Sequence, residues 1–232
     1  MLTPALEKQR QQLFAQTVTG MTSKLASVTD SGSMFAALRW GMEELDQAYA
    51  TTPAKIRATV ACRAGCGHCC SVPVEVQAHE VFFAAEYIQT HFTPTDLAAV
   101  ITRTAAHRTR ALNLTHEERT RLQQPCALLQ DDRCSIYAGR PEACRAHHTN
   151  NAAACAAHAA DPTTPIEKNY IPALRARLFA VMLGVDEALE AAGWDHRAYD
   201  FGSALHEALT NSLCLVRWLQ HRPAFPDSCL AP

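Results

Sequence analysis

The chain has 232 residues, of which 48% are hydrophobic and 19% are charged, and its formal net charge is -2. This length allows one large domain or two small ones, and the composition is that of an ordinary globular protein. A net charge so close to zero excludes a bulk electrostatic attraction to nucleic acid or to an anionic membrane surface. The first residues are amphipathic and charged, and no stretch approaches the roughly 18 uninterrupted apolar residues of a membrane span. We therefore expect a cytoplasmic protein that has neither nucleic acid nor a membrane as a partner.

Hydrophobic periodicity predicts helices over the N-terminal part of the chain. Apolar residues recur at helical spacing over residues 4–18 and 33–50. A short extended piece is predicted at SVPVEV, residues 71–76, because valines alternate there with other residues. Two more helices are predicted over residues 77–91 and 95–112.

The middle of the chain carries a helix start and a turn. Thr115 and Glu118 form a helix-start signature, in which each side chain can satisfy an amide of the first turn. The stretch PCALLQDDRCSIYAGRP, residues 125–141, predicts two short strands joined by a turn at Asp131 and Asp132. This stretch is the one place where a β-hairpin is predicted.

The C-terminal part is predicted to be helical again, over residues 166–193 and 202–221. The strands are too few for an alternating series of strands and helices. The predicted fold is therefore mainly α: a helical domain with an inserted small, irregular, cysteine-rich metal-binding module that contains a short β-hairpin. We interpret residues 1–232 as a single domain, with the cysteine module at 62–155 and a C-terminal helical part at 165–221.

Eight of the ten cysteines fall into two dense groups. The first group lies in CRAGCGHCC and the second follows residue 125. In a reducing compartment such groups indicate metal binding more than structural disulfides. Cys214, in an apolar helix, is predicted to be a core residue, and Cys229 is predicted to have no role. The grouped cysteines are Cys62, Cys66, Cys69, Cys70, Cys126, Cys134, Cys144 and Cys155.

Two glycines in the first group favour a loop over a helix. Gly65 and Gly67 can adopt left-handed conformations at low cost, which lets backbone amides turn toward a metal site. The two-residue gap between Cys66 and Cys69 lets neighbouring thiolates bind one tetrahedral ion. Side chains of adjacent residues point apart in extended backbone, so Cys69 and Cys70 suggest either two centres or one member that does not ligate.

The second group has a helix signal. Pro141 is a good first-turn residue and predicts Cys144 in the first turn of a helix, where the helix dipole would lower the thiol pKa. Arg140 and Arg145 flank this cysteine. They either offset the negative charge of gathered thiolates or are solvated surface residues.

Two histidines accompany the cysteines. His68 lies inside the first group, and His148 follows Cys144 by four residues, which on a helix would place both on one face. A histidine near a metal often supports the site without ligating it, so direct ligation stays open for both. Eight other histidines, among them His79 and His107, are interpreted as solvated or hydrogen-bonded side chains.

Two other interpretations of the cysteines are disfavoured. The spacing of Cys62, Cys66 and Cys69 is also that of the radical S-adenosylmethionine cluster loop. That loop follows the first strand of a partial α/β barrel, and no alternating run of strands and helices is predicted after it. A catalytic cysteine nucleophile would need one activated thiol with a positioned base, which crowded cysteines do not indicate.

Four motifs in the cysteine segment occur together. They are the doubled Cys69-Cys70, Pro-Cys-x-Leu-Leu at 125–129, Cys-Ser-Ile-Tyr at 134–137 and Arg-Pro-x-x-Cys-Arg at 140–145. With them the chain resembles the CxxCxxCC, or YkgJ-type, cysteine cluster family of zinc- or iron-chelating proteins. The resemblance covers residues 62–155.

This resemblance implies a cysteine-ligated metal centre, with the eight grouped cysteines as the pool of ligands. All-sulfur ligation suits both Zn²⁺ and an iron-sulfur cluster. The family includes the flagellin lysine N-methylase, which is thought to carry an iron-sulfur cluster, and this analogy favours iron-sulfur. The expected function is therefore a cytoplasmic metal-binding protein that holds an iron-sulfur cluster or zinc.

Two alternative functions remain open at this point. One is an iron-sulfur-dependent protein-modifying enzyme such as a lysine N-methyltransferase, although the chain shows no glycine-rich S-adenosylmethionine fingerprint. The other is an interaction module whose helical C-terminal half docks a protein partner. A helical stripe such as Leu174, Leu178, Val181 and Met182 is more often core than interface, so we rank this alternative last. A metal ion is the expected partner, and any protein partner is left open.

Overall fold

Helices make up most of the structure, a computed structural model that describes residues 3–63 and 65–232. In these residues the predicted mainly-α fold is confirmed, with eleven α-helices and two small two-stranded antiparallel sheets. Within the same residues, no helix combines the length and the apolar composition that a membrane crossing needs. The helices are α1 (Pro4–Leu25), α2 (Ser31–Ala50), α3 (Ala54–Arg57), α4 (Ala78–His91), α5 (Pro94–Ala111), α6 (His116–Leu122), α7 (Glu142–Ala146), α8 (Ala152–Ala160), α9 (Pro172–Ala191), α10 (Phe201–Thr210) and α11 (Leu213–Leu219).

Side-chain caps fix where several helices begin. The carboxylate of Asp30 accepts a hydrogen bond from the backbone N–H of Ser33 at 2.7 Å, at the start of α2. Thr115 and Glu118 form the predicted reciprocal cap of α6. Each such cap satisfies first-turn amides that have no partner inside the helix.

Three long helices, α1, α2 and α9, pack together and form what we call the helical frame. Their buried faces contribute Met21, Leu38 and Leu178, each at most 1% exposed, to one hydrophobic core. A second set of helices, α4, α5 and α10, packs beside the frame, with α2 in contact with α4. The stripe of Leu174, Leu178, Val181 and Met182 is predicted as core, and this is confirmed: the first three residues are buried, and Met182 is partly buried against the core.

The helix predicted over residues 166–193 begins only at Pro172, and two further helical details differ from the predictions. Helix α8 has no predicted counterpart, because its alanine-rich sequence has high helix propensity but no apolar spacing. The helix predicted over residues 202–221 is two helices, α10 and α11. Between them the side chain of Asn211 accepts a hydrogen bond from the N–H of Leu213 at 3.2 Å, which competes with helical pairing.

One of the two sheets connects the cysteine segment to the C-terminal part of the chain, and the other lies within the segment. Strand β1 (Glu75–Val76) pairs with β4 (Tyr199–Asp200), and the N–H of Phe201 donates to the carbonyl of Val74 at 3.0 Å. Strands β2 (Leu129–Gln130) and β3 (Arg133–Cys134) form the predicted hairpin. Its turn residues Asp131 and Asp132 have φ angles of 49° and 58°, as a tight hairpin turn requires.

Candidate metal centre

All eight grouped cysteines line one cavity of about 380 Å³, which we call the cysteine cavity. Segments that are distant in sequence form its sides: the loop that starts at Cys62, the β2–β3 hairpin, α7 and α8. Phe201, at the start of α10, also lines it. Cys214 and Cys229 are both 0% exposed and belong to the hydrophobic core, so Cys214 is a core residue as predicted.

The first cysteine group lies on a loop followed by a short 3-10 helix at His68–Ser71. Gly65 has a φ of 82°, which confirms the predicted left-handed turn. A Cβ atom on Gly67 would lie 3.1 Å from Leu129 Cδ1, so a larger residue here would require the Leu129 side chain to shift. The N–H of Cys126 donates to the carbonyl of Cys70 at 2.7 Å, which ties the two cysteine groups together through the backbone.

The second group takes its positions from three elements. Cys126 precedes β2, Cys134 is in β3, and Cys144 is in α7, as predicted from Pro141. Cys155 lies in α8, where its sulfur is 3.1 Å from Thr149 Oγ1. The hairpin and the two short helices thus bring four thiols to the cavity.

The thiols surround the cavity without converging on one point. Four thiolates on a single tetrahedral zinc lie about 3.8 Å from one another, as Zn–S bonds of about 2.3 Å require. Among the described residues, no three cysteine sulfurs lie within 4.8 Å of one another. The cavity also has room for many water molecules, far more than one ion occupies.

Burial dominates the electrostatics of the cysteines. It raises the pKa of Cys126 to about 11 and raises that of Cys144 well above its ordinary value, with neighbouring cysteines adding to both shifts. The expectation that the helix dipole lowers the pKa of Cys144 is therefore wrong. Helix α7 has only five residues, and desolvation of the thiolate outweighs its dipole.

Cys69 holds a central position among the thiols. The adjacent thiol of Cys70, followed by burial, raises the pKa of Cys69 far above its ordinary value. The two residues lie in the 3-10 helix, so the premise of extended backbone at this pair is wrong. A charge on Cys69 raises the pKa values of five other cavity cysteines: Cys62, Cys126, Cys134, Cys144 and Cys155.

The two flanking arginines have different roles. Arg140 lines the cavity, lies 3.7 Å from the centre of the Tyr137 ring, and lowers the pKa of Cys134 against the larger effect of burial. Arg145 is 6% exposed, pairs with Asp46 at 2.8 Å, and donates to the carbonyls of Ala138 and Arg140. Arg140 therefore offsets thiolate charge, whereas Arg145 is buried and holds the loop before α7 through its hydrogen bonds.

Two histidines line the cavity, and only one of them was a candidate from the sequence. His148 lines it, and burial lowers its pKa to about 4, which leaves a neutral imidazole at pH 7. Its Nδ1 is buried without a hydrogen-bond partner among the described residues. His147 also lines the cavity and was missed, because no spacing signal distinguishes it from its neighbour. His68 is exposed and is not among the lining residues, and α7 ends before His148.

The fold of the described residues also bears on the radical S-adenosylmethionine interpretation. The loop from Cys62 to Cys69 follows helix α3, not a barrel strand. In the described part of the chain, the sheets contain two strands each and are antiparallel. The fold of these residues therefore does not support a radical S-adenosylmethionine cluster loop.

A comparison with known protein families identifies the cysteine segment. The model of the CxxCxxCC family, described as "Putative zinc- or iron-chelating domain", matches residues 61–161 and so includes all eight cavity cysteines. No curated protein and no solved structure matches the chain. The alternative of a lysine N-methyltransferase is untested by these comparisons and stays a prediction. Over residues 61–161 the chain is therefore similar to the CxxCxxCC family, whose domain is described as zinc- or iron-chelating.

Proposed function

We propose that the protein is a cytoplasmic metal-binding protein whose cysteine cavity holds an iron-sulfur cluster. The observation that carries this proposal is the lining of one cavity of about 380 Å³ by eight thiols. Soft thiolate ligands suit iron-sulfur clusters and zinc alike. The choice between an iron-sulfur cluster and zinc therefore depends on the size of the group that the thiols can surround.

The spread of the sulfurs supports the larger group. A single zinc needs four thiolates about 3.8 Å apart, whereas no three cysteine sulfurs of the described residues lie within 4.8 Å of one another. A polynuclear cluster places its iron atoms between the thiolates and is held at wider spacing. The sulfur positions and the cavity volume thus fit a cluster better than one ion.

The thiols are proposed to act in two sets that meet at the doubled cysteines. Charges on Cys62 and Cys66 raise the pKa of Cys155, so these three thiols form one set. Charges on Cys126 and Cys134 raise the pKa of Cys144, so these three form the other set. Cys69 acts on both sets, and Cys70 is its direct neighbour. We propose all eight as the ligand pool, in a module at 62–155 of a single domain that spans residues 1–232 and includes the helical part at 165–221.

The surroundings of the thiols fit such a centre. Raised thiol pKa values mean that metal binding must displace protons, which couples loading to pH. Arg140 lies at the cavity and favours thiolates, and neutral His148 offers an unpartnered nitrogen there. When bound, an iron-sulfur cluster would supply one-electron redox chemistry, which suits electron transfer or sensing.

The test is an ultraviolet-visible spectrum with iron, sulfide and zinc analysis on protein purified without oxygen. We expect a brown protein with a broad visible absorption band and with iron and sulfide in comparable amounts. A colourless protein with stoichiometric zinc would overturn the iron-sulfur proposal and leave a chelating domain of the zinc type.

Variants then locate the centre. Replacing Cys66 and Cys69 together by serine should remove most of the iron and sulfide, because it takes ligands from the loop and from the central position. The matched control is Cys214→Ser, which removes a thiol from the core outside the cavity and should leave the iron content unchanged. Equal metal content in both variants would contradict the assignment of the cavity cysteines as ligands.

A further inference from the structure

A second cluster of metal-ligating side chains lies outside the cysteine cavity. His79 of α4, Glu142 of α7 and Asp186 of α9 place one ligand atom each within 4.8 Å of the others. The distance from His79 Nε2 is 3.6 Å to Glu142 Oε1 and 3.9 Å to Asp186 Oδ1. The interpretation of His79 as a solvated or hydrogen-bonded side chain is therefore wrong.

In this cluster, polar atoms of His79 and Glu142 are buried and have no hydrogen-bond partner among the described residues. The side chains of His79 and Glu142 are each 1% exposed. Among the described residues, His79 Nε2 and both carboxylate oxygens of Glu142 have no hydrogen-bond partner. Leaving such groups buried without a partner costs about 1–3 kcal/mol each, and more when the group is charged. The arrangement therefore lacks a group that these three atoms could bind together.

We propose that His79, Glu142 and Asp186 bind a divalent transition-metal cation at a site separate from the cysteine cavity. One imidazole nitrogen and two carboxylate oxygens are a common ligand set for such ions. Ligand atoms about 2.1 Å from one tetrahedral ion lie about 3.4 Å apart. The observed separations of 3.6 and 3.9 Å need only a small contraction to reach that geometry.

Glu80 positions the site without being counted as a ligand. Its Oε1 accepts hydrogen bonds from the backbone N–H groups of Glu142 at 2.8 Å and Ala143 at 3.4 Å, and its Oε2 accepts one from Gln77 at 2.8 Å. These bonds attach the start of α7 to the start of α4. They hold the Glu142 backbone where its side chain reaches His79.

The site has a charge and a path that suit a cation. Glu80, Glu142 and Asp186 bring three carboxyl groups together, and the guanidinium of Arg145 is already paired with Asp46 at 2.8 Å. Asp186 is 21% exposed, so an ion can reach the site from solvent on its side.

The ligand chemistry separates this site from the cysteine cavity. Residues two apart on a helix face roughly opposite directions, so the side chains of Glu142 and Cys144 leave α7 toward different surroundings. Carboxylates favour harder ions such as Mn²⁺, whereas thiolates select zinc and iron-sulfur clusters. Manganese is therefore a probe that reports the buried carboxylate site with little contribution from the cysteines.

The test is a Mn²⁺ titration of the full chain, with its cysteine centre as purified, followed by the loss of the free-ion electron paramagnetic resonance signal. We expect one bound Mn²⁺ per chain. Asp186→Asn, on the exposed side of the site, should weaken this binding by at least about tenfold. The control is Glu187→Gln, an exposed carboxylate on the same helix, which should bind Mn²⁺ as the unchanged protein does.

Two further measurements make the result decisive. His79→Gln should also lose Mn²⁺ binding, and circular dichroism should establish that each variant is folded; if this variant unfolds, Asp186→Asn decides. The iron and sulfide content of Asp186→Asn should equal that of the unchanged protein, which separates this site from the cysteine centre. The absence of Mn²⁺ binding at millimolar concentration, or binding unaffected in folded Asp186→Asn protein, would overturn the proposal.

Discussion

The helical frame and the first cysteine loop are held by different forces. In α9, ten of the twenty residues are buried. Across residues 62–70, none of the described residues is buried. This loop contains glycines, four cysteines and the start of a 3-10 helix. Burying one large apolar side chain stabilises a fold by about 1.5–3 kcal/mol. We therefore expect the frame to be held by hydrophobic burial and the loop by the metal that its cysteines are proposed to bind.

Metal removal should separate the two regions most strongly. A structural metal site contributes on the order of 10 kcal/mol of binding free energy to the segment that it orders. We expect chelation of the metal to increase hydrogen exchange sharply over residues 62–71, while the amides of α9 keep their protection. Hydrogen exchange of the loaded and metal-free proteins measures this difference. Equal loss of protection in both regions would mean that the frame also depends on the metal.

A core substitution should produce the opposite pattern. Leu178→Ala in α9 removes a side chain that is 1% exposed, which should lower the free energy of unfolding by about 3 kcal/mol. Metal content per folded chain should not change, because Leu178 does not line the cysteine cavity. Leu183→Ala, on the same helix and 44% exposed, is the control and should have little effect. Denaturant unfolding with metal analysis tests both variants, and metal loss in Leu178→Ala would contradict the separation.

The junction between the two regions should respond to acid with a smaller effect. Burial alone would raise the pKa of Asp200, but hydrogen bonds and charge from His107 and Ser203 lower it to about 2. Because the folded pKa lies below the unfolded one, this carboxylate stabilises the fold by about 2 kcal/mol above pH 4. That contribution is lost as the pH falls toward 2.

The measurement compares the unchanged protein with Asp200→Asn by denaturant unfolding from pH 6 to pH 2. The difference in unfolding free energy should be largest near pH 6 and should shrink as Asp200 takes up a proton. Acid also strips thiolate-bound metal, but it does so in both proteins, so the difference isolates the carboxylate. A difference that does not depend on pH would show that Asp200 acts by packing alone.

Features that depend on nearby residues were predictable. Apolar spacing predicted the long helices, because a helix face is set by residues three and four apart. The turn at Asp131 and Asp132 followed from residue types that tolerate left-handed conformations. The grouping of the cysteines indicated a metal site for the same local reason.

Features that depend on packing between distant segments were not predictable from one sequence. Nothing local indicates that Phe201 lines the cysteine cavity or that Cys155 lines it together with Cys62. His79 and Asp186 lie on helices that are far apart in the chain. They meet because α4 is hydrogen-bonded to the start of α7 and α9 packs against α7. The prediction for Cys144 failed for another reason. The helix start was located correctly, but burial raises the thiol pKa by more than the helix dipole lowers it.

The pairing of β1 with β4 has a consequence for the order of events during synthesis. Glu75 pairs with Asp200, about half the chain length away, and Phe201 then completes the lining of the cysteine cavity. A ribosome makes the chain from its N-terminus, so all eight cavity cysteines emerge before this last segment exists. Until then the thiols stand in an open, unfinished pocket, accessible to oxidants and to whatever delivers metal. The segment around residue 201 thus supplies the last side chain of the cavity lining.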